Sequence, residues 1–126
     1  MRISAFLAAF AMAAASPVFA QTSALLIGNK DYANTSDLRR GNEITRAERS
    51  LSQSGVRVIA RNDTTIQELE QTLLEFGQTV EQSDTLLIGL AGRYVHSSVE
   101  TYFLPIDSDT GPLAQIARSA LPLSTL

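Results

Sequence analysis

Between residues 21 and 91 the apolar residues fall into two unbroken runs, one alternating run and two helical stripes, and the order of these patterns predicts a fold. Ala24-Leu-Leu-Ile27 is continuously apolar and closes on Gly28-Asn29, as expected for a strand buried on both faces. Residues 30–41 are polar and hold Asn34, Asp37, Arg39, Arg40 and Gly41, which predicts a loop with Arg39-Arg40 as a solvated pair. Ile44, Ala47 and Leu51 then recur at helical spacing among Arg46, Glu48, Arg49 and Gln53, and Gly55 is placed to end a helix over 42–54. Val56, Val58 and Ala60 alternate with Arg57, Ile59 and Arg61, the pattern of a strand nearer a sheet edge. Thr65 and Glu68 have capping-box spacing, and Ile66, Leu69, Leu73, Phe76 and Val80 form one stripe, so a helix covers about 65–81.

Thr85–Leu90 is the second continuous apolar run, read as buried on two faces and ended by Gly92. A short β pair around 94–96 and 102–104 follows, then Pro105-Ile-Asp107 and a turn. Leu113, Ile116 and Ala117 mark one more short helix before Pro122. Strands alternating with helices imply a mostly parallel sheet covered on both faces, with strands 24–28 and 85–91 as neighbours in its middle.

The first 20 residues are set apart from this domain. Arg2 precedes an apolar stretch from Ala5 to Ala15, Ser16-Pro17 breaks it, and Val18-Phe19-Ala20 fits a small-x-small cleavage site. Eleven apolar residues fall short of the ~20 needed to span a bilayer. Residues 1–20 are therefore read as a cleavable bacterial secretory signal, and the product as periplasmic or secreted. Residues 21–126 suffice for one small domain.

Charge and cysteine content narrow the function. The chain carries 10 Lys+Arg and 13 Asp+Glu, and Arg2 is the only charged residue in the signal, which leaves 9 against 13 and a balance of −4. That mild acidity speaks against a nucleic-acid or anionic-membrane surface. With no cysteine, the chain has no disulfide, no zinc-thiolate site and no cysteine nucleophile of its own. No cofactor or metal is expected. Asp107-Ser-Asp109-Thr-Gly111 begins like a calcium loop but has Arg118 where the closing glutamate would stand, so it reads as a turn. Walker A, GxSxG, HExxH and GxGxxG patterns are absent.

Chemistry in an open α/β sheet gathers at the carboxyl ends of the strands, which places Arg93, just past Ala91-Gly92, at a working position. Ala24-Leu-Leu-Ile-Gly-Asn29, Tyr32, Leu38, Asn42-Glu43, Leu51, Gly55 and Ala91-Gly92 with Tyr102-Phe-Leu-Pro-Ile-Asp107 together resemble the large-subunit half of the caspase-like peptidases. Metacaspases and paracaspases are the branch they look most like. The resemblance implies a three-layer α/β/α sandwich with a mostly parallel sheet. The chain then holds its first three core strands and a hairpin, an incomplete domain over 21–126.

In that family the third strand ends in Ala-Gly-His-Gly, whose histidine is the general base, and a cysteine nucleophile ends the fourth strand. An acidic motif near the first helix helps form a pocket for a basic P1 side chain. Here Arg93-Tyr94 replaces the His-Gly, and the fourth strand and its cysteine would lie beyond Leu126. A guanidinium stays protonated at physiological pH and cannot take a thiol proton. His96, the only histidine, is three residues further on. In a strand that offset moves a side chain ~10 Å and to the other face, so it is read as a hairpin histidine rather than a base. Glu43 falls on the acidic pocket position; it equally suits the first turn of a helix, where the macrodipole favours carboxylates.

The leading expectation is an exported caspase-family domain without catalysis, either a binding module or a truncated relic. One alternative is the front part of a longer cysteine endopeptidase cleaving after basic residues. Another is a flavodoxin-like or receiver-like binding domain, weakened by Asn29 and Lys30 where an acidic cluster would end the first strand. The expected partner is a protein or peptide, or a second copy of the chain, pairing along the free edge of 85–90.

Overall fold

A computed structural model describes residues 21–39 and 43–126; residues 1–20, on which the expected signal falls, and Arg40, Gly41 and Asn42 lie outside the described residues. Strand β1 (Thr22–Gly28) leads to helix α1 (Glu43–Gln53), β2 (Arg57–Asn62), helix α2 (Ile66–Val80) and β3 (Thr85–Ala91). A small second sheet follows, with β4 (Tyr94–His96), β5 (Thr101–Phe103), helix α3 (Leu113–Arg118) and β6 (Leu121–Pro122), before a closing 3-10 turn at Leu123–Thr125.

The first sheet is parallel in the order β2-β1-β3, with Leu25 flanked by Ile59 and Ile88. β1 is the central strand, and residues 23–28 are all buried, as its apolar run predicts. Successive side chains of a strand point to opposite faces. Leu25 and Ile27 pack in one core with Leu69 and Phe76 of α2, while Gly28, one position on, faces Ile44 of α1. The two helices therefore cover opposite faces of the sheet, giving three layers. A Cβ at Gly28 would stand 2.6 Å from Ile44 Cγ1, so a glycine is what lets α1 close down on the strand end.

Both helix termini flagged by sequence form as their chemistry requires. Thr65 caps α2, its hydroxyl accepting the Glu68 N–H at 3.2 Å. Gly55 ends α1 at φ +84°, with Gly55 N–H donating to Ser52 O and Val56 N–H to Leu51 O. That is a Schellman closure, which needs a left-handed residue and so favours glycine.

β3 is the neighbour of β1, as expected, and has the free outer edge expected along 85–90. It is therefore not a middle strand, and Leu86, Leu87 and Ile88 are each 40–41% exposed instead of buried on two faces. The reason is cover: α1 and α2 lie over β1 and β2, and among the described residues no strand flanks β3 on its outer side. An apolar run states that a strand needs cover without saying where the cover comes from. The second sheet, β4-β5-β6, is antiparallel. Its third strand escapes the pattern reading because it is two residues long and contains Pro122, which edge strands tolerate. Phe103 of β5 and Leu121 of β6 join the core built around Leu25 and Ile27, fastening the small sheet to the large one.

Candidate functional site

The carboxyl ends of β1 and β3 are joined by a buried hydrogen-bond network. Asn29, directly after β1, is 2% exposed. Its backbone N–H donates to Ala91 O at 2.8 Å, its Oδ1 accepts from Thr64 N and Thr64 Oγ1 at 2.8 and 3.0 Å, and its Nδ2 donates to Leu104 O at 3.1 Å. One side chain thus ties the end of β1 to the turn after β2 and to the segment after β5. Asp63, itself at φ 52°, accepts the N–H groups of Lys30 and Asp31 through Oδ1 at 2.9 and 3.0 Å. This turns the chain so that Tyr32 enters the interior, 5% exposed.

The Tyr32 hydroxyl donates to Leu104 O at 3.1 Å and accepts the Arg93 backbone N–H at 2.8 Å. Burial pushes its pKa above the usual 10.0, outweighing the lowering by the Arg93 N–H and the Arg93 charge. Gly92 is enclosed by this arrangement, because a Cβ there would lie 2.7 Å from the Tyr32 hydroxyl and 2.9 Å from Phe103 Cε1.

Arg93 stands just past β3, where the strand-end argument places it. Its Nη2 donates to Ser36 O at 2.7 Å and to Ser36 Oγ at 3.2 Å, and its guanidinium carbon lies 5.5 Å from the Tyr32 ring centroid. Its Nε is shielded from solvent and has no hydrogen-bond partner. The residue lines a cavity of about 470 Å³ together with Leu38, Tyr94, Leu104, Asp109 and Ile116. That volume lies in the range of ligand-binding clefts, and a mostly apolar wall with a few polar groups is their usual composition.

The other sequence candidates are dispersed around this cavity. Glu43 is the first residue of α1, exposed, and borders a neighbouring crevice of only about 30 Å³ beside Gly28, Ala91 and Gly92. The crevice adjoins the Arg93 cavity, and Leu38 and Gly92 line both, with Glu43 on the smaller hollow and Arg93 on the larger. His96 lines neither hollow; it is exposed on β4 with Nδ1 3.0 Å from Thr101 Oγ1. Asp107 accepts the Ile66 N–H at 2.9 Å and so caps α2. Asp109 is exposed and lines the Arg93 cavity. Arg39 is exposed, while Arg40 and Asn42 lie outside the described residues.

Sequence reasoning did not assign roles to Asn29, Tyr32 or Ser36. The available signal for the first was a polar residue closing an otherwise buried run, a position where a side chain must find partners. Nothing in the sequence marks Ser36, which meets Arg93 only through the path of the loop.

A parallel α/β layer with helices on both faces and its polar network at the strand ends defines an open-sheet domain with a carboxyl-edge site. The family model described as the caspase domain matches residues 21–121, and the chain belongs to this family. No curated protein matches the chain.

Proposed function

We propose that this caspase-family domain is exported, has no peptidase activity of its own and acts by binding a protein or peptide partner. The observation that carries the reading is Arg93. The family's general base belongs at the end of the third strand, and there the chain holds a permanently protonated guanidinium anchored to Ser36. A thiol supplied by any further sequence would still need a base to take its proton and make it a thiolate, and His96, bonded to Thr101 on β4, is outside the cavity.

A fluorogenic peptide assay with Arg or Lys at P1 tests this. The purified chain should give no turnover, and Arg93→His should restore none, since an imidazole without a thiol has no proton to remove. Turnover that disappears in His96→Ala would overturn the reading. Export is checked by N-terminal sequencing of periplasmic material, where the first residue should be Gln21.

A further inference from the structure

We propose that the cavity beside Arg93 is a recognition site for a peptide carboxylate, a proposal that rests on the binding-module reading above. Arg93 differs from every other arginine of the described residues. The others are exposed, whereas Arg93 is half-buried between the Tyr32 ring and the cavity. The ion pairs among the described residues are Lys30 with Asp31 and Arg61 with Glu75, so Arg93 has no carboxylate within 4 Å. Residues 1–20 and 40–42 contain no Asp or Glu that could supply one.

A guanidinium offers five N–H donors in a planar fork. Ser36 takes up Nη2 alone. Nε is orphaned in a place water does not reach, and the side-chain hydrogen bonds of Arg93 among the described residues all use Nη2, leaving Nη1 without one. A partly desolvated cation with unmet donors is an unfavourable state that an anionic acceptor relieves. Carboxylate matches the fork geometry, and charge-assisted bonds of this kind are the strong ones. Leu38, Leu104 and Ile116 offer apolar contact for the residue beside the carboxylate, so the ligand that fits is an acidic group within an aliphatic peptide. Asp109, exposed on the same wall, disfavours an anion beside it.

Three peptides titrated into the purified chain separate the possibilities: Ac-Ala-Leu-Asp-Leu-NH₂ with an internal acid, Ac-Ala-Leu-Asn-Leu-NH₂ as its neutral isostere, and Ac-Ala-Leu-Asn-Leu-OH with only a terminal carboxylate. At least one carboxylate peptide should bind about tenfold or more tightly than the neutral one, as expected for a charge-assisted pair. Which of the two it is identifies the source of the carboxylate. The same peptide should shift the Arg93 Nε–H resonance in a ¹⁵N-resolved spectrum, and Arg93→Gln should erase the preference. The spectral readout keeps the test valid if that variant fails to fold. Equal binding of all three, or a preference surviving in Arg93→Gln, overturns the carboxylate site while leaving a binding module standing. Absence of binding by all three overturns both, and cleavage of any peptide overturns the non-catalytic reading alone.

Discussion

Tyr32 holds Arg93 twice: its hydroxyl accepts the Arg93 backbone N–H at 2.8 Å, and its ring lies 5.5 Å under the guanidinium carbon. The same hydroxyl donates to Leu104 O, so one phenol positions the residue after β3 against the segment after β5. Tyr32→Phe strips both bonds and leaves the Arg93 backbone N–H unmet, while Leu104 O keeps the Asn29 Nδ2 donor. It should lower stability by about 1–3 kcal/mol in urea denaturation. The pH dependence has a definite sign. A pKa raised above 10.0 means that the folded state favours the neutral phenol, so its contribution is complete below pH 10.0 and is lost as pH rises through the higher folded value. The wild type should therefore lose stability above pH 10.0 more steeply than Tyr32→Phe; parallel curves would refute the assignment.

Asn29 uses its amide as donor and acceptor at once, and Asn29→Asp separates the two roles. The acceptor for Thr64 survives, while the donor to Leu104 O is replaced by a carboxylate facing a carbonyl. The variant should be less stable than wild type at neutral pH by about 2–4 kcal/mol, the cost of a buried charge without a partner. Protonation restores a donor, so part of the loss should be regained on acidification. Thermal denaturation at pH 7 and pH 5 checks this, and a loss that does not change with pH would contradict the geometry.

Gly28→Ala drives a methyl into Ile44 Cγ1, at 2.6 Å from the ideal Cβ position. Overpacking of this kind costs about 1–3 kcal/mol. Trimming the obstacle should offset it, so Gly28→Ala with Ile44→Ala should be less destabilised than the sum of the two single variants. Additive effects in a double-mutant cycle would show that α1 does not press on the strand end.

The outer edge of β3 is the surface most prone to association. Leu86, Leu87 and Ile88 are exposed there, and no charge or proline interrupts the strand. Light scattering of the purified chain should show concentration-dependent self-association, reduced by Ile88→Lys, which adds a charge to the exposed edge strand. A monomer at all concentrations would refute it.

Local patterning carried most of the secondary structure. The Thr65 cap, the stripe from Ile66 to Phe76 and Gly55 as a helix stop depend on neighbours within one or two turns, and so does the burial of Ala24-Leu-Leu-Ile27. The motif around Ala91-Gly92 was also legible in residue order alone, and with it the family and the position of Arg93 at a strand end. Tertiary structure decided what those residues touch. The exposure of β3 depends on whether a neighbour lies beside it, a relation that the apolar content of Thr85–Leu90 does not encode. Tyr32 meets Arg93 across 61 positions and Asn29 meets Leu104 across 75, so their bonds follow from the path of loops rather than from any periodicity. Residue order set Arg93 at a strand end, and the resemblance set Glu43 at an acidic pocket position that also suits the first turn of a helix. The fold sets the two residues on adjoining hollows that share Leu38 and Gly92, because the loop after β1, held by Asp63 and Tyr32, brings Leu38 against the segment that follows β3.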